Sequence, residues 1–141
     1  MDREPSYGQL MKRIHDELER RANNALKQSG LTMVQAWVLL SLSDQPDKTL
    51  SMKQLERELN VSQSTCSGIV SRLEAKGFVE SEYRPDDLRV KHVTITPEGE
   101  ACKNATALDV ENTDRILFEG FTDEERELYR NFLERTCENL T

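Results

Sequence analysis

The periodicity of the chain changes once between Ser51 and Ile95, and no other feature constrains its fold as much. Up to Gly77 the apolar residues recur every three or four positions, as on one face of a helix; beyond it they alternate, as on a strand. Ser51-x-x-Gln54 opens a short helix with Leu55 and Leu59 inward, its hydroxyl and amide each placed to satisfy a backbone N–H that the first helical turn leaves unpaired. Asn60-Val61-Ser62 then makes a tight turn into a second helix, which begins near Gln63, stops at Gly77 and carries Cys66, Ile69, Val70 and Leu73 on its inward stripe. After Gly77, Val79, Ser81 and Tyr83 alternate with Phe78, Glu80 and Glu82, and Lys91, Val93 and Ile95 alternate with His92 and Thr94. The expectation is a two-stranded hairpin whose tip, Arg84-Pro85-Asp86-Asp87-Leu88-Arg89, holds the proline and aspartates that favour turns.

Helices flank this unit. Tyr7, Leu10, Met11, Ile14, Leu18, Ala22 and Ala25 form an amphipathic stripe over roughly Ser6 to Gln28, with Ser6-x-x-Gln9 as capping box and Ser29-Gly30 as stop. A helix of that length outreaches a small core and is expected to pack on another chain or to overhang into solvent. Thr32-x-x-Gln35 opens a helix that is apolar on most sides (Trp37, Val38, Leu39, Leu40, Leu42), ends near Pro46 and is expected at the centre of the domain. Thr96-Pro97 reads as N-cap and first residue of a helix to about Phe118, with a weak stripe of Ala101, Ala105 and Leu108. Thr122-x-x-Glu125 caps a last helix with Leu128, Tyr129, Phe132, Leu133, Cys137 and Leu140 on one side.

Composition narrows the function classes. At 141 residues, 36% apolar and 32% charged, the chain makes one domain or a compact head with helical extensions, and its core is thin enough that a partner subunit would help it. There is no apolar run of the length a membrane span needs, and Met1-Asp2-Arg3-Glu4-Pro5 lacks the apolar run of a signal peptide, so a soluble cytoplasmic protein without a membrane partner is expected. Cys66, Cys102 and Cys137 are odd in number and far apart, which argues against a disulfide framework or zinc knuckle. With only His15 and His92, and no H-E-x-x-H, phosphate-loop, nucleophile-elbow or dinucleotide pattern, no catalytic residue, metal or cofactor is expected, and the chain does not read as an enzyme.

The net charge of −7 is unevenly placed. Residues 1–50 carry seven basic and seven acidic groups, residues 51–92 seven of each, and residues 93–141 five basic and twelve acidic. Local clusters of Lys and Arg, and not the total, decide whether nucleic acid can be bound.

Helix, turn, helix and hairpin together make a winged helix-turn-helix, in which the second helix can enter a DNA major groove while the hairpin reaches the backbone or minor groove. The outward residues suit that role. Gln63 can bond adenine bidentately, Ser62, Ser64, Thr65, Ser67 and Ser71 can bond phosphates or base edges, Arg72 can reach phosphate or guanine, and Gly68 with the serines lets the helix approach closely. A merely solvated helix face would carry more Lys and Glu.

At this point the sequence resembles the MarR family of bacterial transcription regulators. The family's wing pattern, D-x-R, five residues, an aliphatic residue, then T-x-x-G, stands here as Asp87-Leu88-Arg89, residues 90–94, Ile95 and Thr96-Pro97-Glu98-Gly99. Val61-Ser62-Gln63-Ser64-Thr65, Ile69-Val70 and Arg72-Leu73-Glu74-Ala75-Lys76-Gly77 are similar to its recognition helix. The resemblance implies a mainly α fold with a small β-hairpin wing. It divides the chain into an N-terminal dimerisation helix over residues 1–30, a winged head over 31–96 and C-terminal dimerisation helices over 97–141. It further implies a homodimeric repressor of a palindromic double-stranded DNA operator, with Arg89 in a minor groove, Asp87 orienting the wing, and Arg84 and Lys91 on phosphates. The wing is more acidic than the family's usual one, with Glu80, Glu82, Asp86 and Asp87 beside its arginines, so modest affinity that falls steeply with salt is expected.

Relatives sense small aromatic or amphipathic ligands in a crevice between the dimer helices and the head. Met11, His15 and Trp37, with Arg13 nearby, are the candidates here, against the plainer readings of His15 as a surface residue and Trp37 as core. Cys66, on an inward stripe, reads as packing in preference to a redox switch. The competing reading, from another class, is a winged-helix module that binds protein and not DNA, motivated by the acidic last third.

Overall fold

The computed structural model describes residues 3–141 apart from the side chain of Leu108, so Met1-Asp2 and the Leu108 position of the expected stripe lie outside the described residues. Five of the helices begin where the sequence signals predict. In α1 (Tyr7–Leu26), α2 (Met33–Ser43), α3 (Met52–Leu59) and α6 (Asp123–Leu140) a full capping box closes the first turn, formed by Ser6/Gln9, Thr32/Gln35, Ser51/Gln54 and Thr122/Glu125. In α5 (Pro97–Leu117) Thr96 is the cap and Pro97 opens the helix. The remaining helix, α4 (Gln63–Ala75), also begins where expected and is capped by Ser62, whose Oγ accepts from the Thr65 N–H. Between α3 and α4, Asn60 takes the left-handed conformation at φ 52°, which allows the turn to close in three residues.

The sheet differs from the expected two-stranded hairpin. A third strand, β1 (Thr49–Ser51), lies antiparallel against β3 (Asp87–Ile95), which also pairs with β2 (Val79–Arg84), giving the order β1-β3-β2. Leu50 faces Val93, Val79 faces Ile95, and the Thr49 and Thr94 hydroxyls share a hydrogen bond of 2.8 Å. β1 ties the wing to the helix-turn-helix, because its last residue is also the N-cap of α3.

Among the described residues, every buried apolar side chain lies between Leu26 and Ile95, in a single cluster that includes Leu39, Leu42, Leu55, Leu73 and Val93. The inward stripe of α4 is buried as expected: Cys66, Ile69, Val70 and Leu73. Two expectations are corrected. Trp37 is not at the centre but 44% exposed, because an all-round apolar helix needs only the side that packs on the head to be covered, and its opposite side meets cavities. On α5 the stripe does not run through Ala101 and Ala105, which are exposed; Cys102 and Thr106 face inward, and Thr106 satisfies its hydroxyl on the Lys103 carbonyl at 2.9 Å.

A clamp joins the head to α5. Thr96 Oγ1 donates to the Gly77 carbonyl at 2.7 Å and accepts from the Gly99 N–H at 3.1 Å, while the Thr96 N–H donates to the Phe78 carbonyl at 3.0 Å. A Cβ at Gly99 would lie 2.2 Å from the Phe78 oxygen, so only glycine lets the first turn of α5 approach this closely. Nearby, Glu100 accepts from the Ser43 hydroxyl at 3.1 Å and lies 3.7 Å from Lys48, which donates to the Ser43 carbonyl at 2.7 Å.

Candidate nucleic-acid interface

The face of α4 opposite its buried stripe is polar and short-chained. Gln63, Ser64, Thr65, Ser67, Ser71 and Arg72 are exposed and Gly68 is half-buried, so the expected reading face lies on one surface. Its first turn is a hydroxyl cluster: Ser62 Oγ is 3.0 Å from Thr65 Oγ1 and 3.3 Å from Ser64 Oγ. These hydroxyls crowd a helix N-terminus, where unpaired N–H groups and the helix dipole favour a phosphate.

The wing tip is tighter than the sequence suggests. Arg84 pairs with Asp87 and only Pro85-Asp86 form the loop, while the register shifts between Tyr83 and Arg84. That shift leaves residues 88–90 of β3 without partners on β2, and Arg89 sits in this stretch. Asp87 Oδ1 accepts from the Arg89 N–H at 3.1 Å, so the first residue of the D-x-R pattern fixes the backbone from which its arginine projects. Arg89 is exposed, and among the described residues no carboxylate lies within salt-bridge distance of it.

The other two wing cations are placed differently. Arg84 lies 3.9 Å from Asp47, and Lys91 lies 3.9 Å from Glu74 on α4. Glu74 also accepts from the Ser81 hydroxyl, so this carboxylate braces the wing against the recognition helix and draws Lys91 inward. Such long, half-exposed pairs contribute little to stability and can open toward a phosphate. Sequence reasoning missed Glu74 because nothing in its spacing marks it; the register that brings it beside Ser81 and Lys91 is tertiary.

Two cavities flank Trp37. One, of about 470 Å³, lies between α1, α2 and α4 and is lined by His15, Trp37 and Arg72 among others; His15 Nε2 is 3.4 Å from Glu19. The other, of about 190 Å³, lies between α1, α2 and α5. Met11, expected beside His15, lines neither and faces outward at 46% exposure; Arg13 lies in a groove between α1 and α5. Cys66 is buried and Cys102 half-buried, whereas Cys137 is exposed. Burial pushes the Cys66 thiol above its ordinary pKa, assisted by Glu56, and burial does the same to Cys102 against the opposing effects of Lys76 and Ser29.

A helix-turn-helix with an exposed polar reading face, followed by a braced wing with a projecting arginine, defines a winged helix-turn-helix DNA-binding protein. The MarR family model matches residues 29–89, which span α2 to the wing tip. The transcriptional repressor YetL of Bacillus subtilis is 27% identical over 112 residues, covering 79% of this chain and 67% of YetL. Among solved structures, the DNA complex of Sco3205, a MarR family regulator from Streptomyces coelicolor, superposes with a TM-score of 0.84 at 26% identity, covering 100% of this chain and 92% of that one. Bordetella bronchiseptica BpsR, whose DNA binding is regulated by 6-hydroxynicotinic acid, superposes with a TM-score of 0.81 at 26% identity, covering 92% and 97%. These likenesses support a MarR family winged-helix regulator that binds DNA and is not an enzyme. The reading as a protein-binding module is not favoured. Among the described residues no helix is long and apolar enough to cross a membrane.

Proposed function

We propose that the chain works as a homodimeric repressor: residues 31–96 form the reading head, residues 1–30 and 97–141 supply the dimer helices, and two heads together hold a palindromic operator. The observation that carries this reading is the wing tip, where Asp87 fixes the backbone of an exposed Arg89 whose guanidinium has, among the described residues, no carboxylate within 4.0 Å. Arg89 enters a minor groove, where a narrow A·T-rich segment concentrates negative potential. Gln63 and Arg72 reach base edges, and Ser62, Ser64, Thr65, Ser67 and Ser71 hold phosphates, with Gly68 permitting close approach. Arg84 and Lys91 exchange their carboxylates for phosphates on binding. Bare apolar residues on α1 (Leu10, Met11, Ile14) and α6 (Leu128, Phe132, Leu133, Leu140) support the dimer.

A small aromatic or amphipathic effector in the crevice of His15, Trp37 and Arg72 would lower operator affinity by favouring a different spacing of the heads. The regulation of BpsR by an aromatic acid supports that part of the reading.

Selection of sites from random duplex DNA, followed by fluorescence anisotropy on the enriched sequence at several salt concentrations, tests the proposal. A palindrome with half-sites about one helical turn apart is expected. Arg89→Ala should weaken binding roughly 10- to 100-fold, in line with about 1–3 kcal/mol for a specific groove contact. Equal affinity of the wild type and Arg89→Ala would overturn the reading.

A further inference from the structure

The winged head covers its apolar side chains with few exceptions, and two of those exceptions share one place. Among the described residues 31–96, three large apolar side chains stand well out of the core: Trp37, which meets cavities, and Tyr83 and Leu88, both on the outer half of the wing. Leu88, at 69%, is the most exposed of the three. Turn chemistry does not ask for it, since Pro, Asp, Asn and Gly are the residues that close a hairpin tip. Packing does not ask for it either: residues 88–90 have no partners on β2, and the side chain lies largely in water. The D-x-R pattern leaves this middle position open.

A single exposed leucine needs no explanation on its own, but the position of this one supplies one. The 3.1 Å bond from the Arg89 N–H to Asp87 Oδ1 closes a ring around the Leu88 backbone, so the bond that aims the arginine also holds the leucine. A residue already held in place loses little further freedom on docking. The minor groove of DNA offers it walls of deoxyribose C–H groups. The groove floor carries only acceptors at A·T pairs, whereas G·C pairs add the projecting N2 amino group of guanine. A branched apolar side chain gains by leaving water against the sugars, and at a G·C pair it would cover that amino group without giving it an acceptor. Proteins that bind the minor groove commonly place Leu, Ile, Met or Phe there. We propose that Leu88 enters the minor groove beside Arg89, rests on the sugar walls and excludes the guanine amino group, so that the wing selects A·T over G·C by shape as well as by charge. This role rests on the reading of the wing as a minor-groove element.

Fluorescence anisotropy of the full-length chain on three versions of the selected operator tests it. The A·T pairs under the wing, located as those whose hydroxyl-radical protection Arg89→Ala removes, are replaced by G·C or by inosine·C, two pairs that differ only in the N2 amino group. The wild type should bind the inosine·C version within about twofold of the A·T version, and the G·C version roughly tenfold or more weakly. Leu88→Ala should weaken binding to the A·T version about five- to tenfold, as expected for loss of a largely buried leucine contact. It should also narrow the penalty for G·C over inosine·C to about threefold. Because no charge and no core contact is removed, the salt dependence and the Tm should stay at the wild-type values, and Leu88→Met should retain most of the affinity. The proposal is overturned if Leu88→Ala binds the A·T version as tightly as the wild type, or if it keeps the full penalty against G·C. A salt slope lowered by about one, as loss of a phosphate-neutralising cation gives, also overturns it, since Leu88 would then act only by placing Arg89. If Arg89→Ala too binds like the wild type, the minor-groove reading of the wing falls as well; if Arg89→Ala weakens binding and Leu88→Ala does not, only the role of Leu88 falls.

Discussion

The winged head and the terminal helices are built from the same chain by different rules. In the head, Val38, Leu39, Leu42, Leu55, Leu73 and Val93 are removed from solvent altogether, enclosed by α2, α3, α4 and the three-stranded sheet. In α6 nothing is buried: Leu128, Phe132, Leu133 and Leu140 are between 43% and 82% exposed, and Tyr129 meets the Phe118 and Phe121 rings at about 6 Å. The first half of α1 is as bare, with Tyr7 85% exposed. The head is closed within one chain, whereas the terminal helices leave apolar side chains uncovered. On the proposed dimer, stability is set in one region and assembly in the other, and substitutions should separate the two.

The largest effect is expected at the clamp that joins them. Gly99→Ala places a methyl 2.2 Å from the Phe78 carbonyl oxygen and 2.8 Å from Ile95, both fixed by the sheet and the end of α4. Such overpacking costs about 2–3 kcal/mol, which thermal unfolding should register as a Tm lower by roughly 6–12 °C. A Tm within a degree of the wild type would mean that α5 is not held to the head as described.

Assembly should respond where stability does not. Phe132→Asp puts a charge on a 55% exposed position of α6 and removes no buried side chain, so the head should lose no more than about 0.5 kcal/mol. Sedimentation velocity should nevertheless show the chain shifting from dimer to monomer, with hydrogen-exchange protection retained at Leu39 and Leu42. Loss of that protection along with the dimer would erase the distinction between the two regions.

The smallest expected effect is within the wing. Asp87→Ala removes the acceptor of the Arg89 N–H, a bond contributing on the order of 1 kcal/mol, and should weaken operator binding about fivefold. Asp87→Asn keeps an acceptor and removes a negative charge facing DNA, so its affinity should equal or exceed that of the wild type. Equal behaviour of the two variants in anisotropy would show that Asp87 acts by charge and not by fixing the backbone.

What the sequence made legible follows the range of the interactions. The capping boxes at Ser6, Thr32, Ser51 and Thr122 are closed by partners three residues away, so the pattern and the structure are nearly the same statement. The α4 stripe and its outward serines follow from one helical period. β1 escaped notice because three residues cannot display a period, and its pairing to Thr94 depends on contacts 45 positions apart. Trp37 was misplaced because a helix apolar on most sides does not reveal which side the head covers. For the interface, Asp87 and Arg89 were visible through the D-x-R pattern, but the bracing by Glu74 appears only once α4 and the wing are brought together.

The central claim, that a self-sufficient head reads DNA while the terminal helices pair two heads, is tested most directly by stoichiometry and affinity on DNA. Sedimentation of the chain with a full selected palindrome and with an isolated half-site gives both. The account predicts two chains per palindrome, with binding to the half-site at least 100-fold weaker, and Phe132→Asp reduced on the palindrome to the half-site value. One chain bound per palindrome, or a Phe132→Asp variant binding the palindrome as tightly as the wild type, would contradict it.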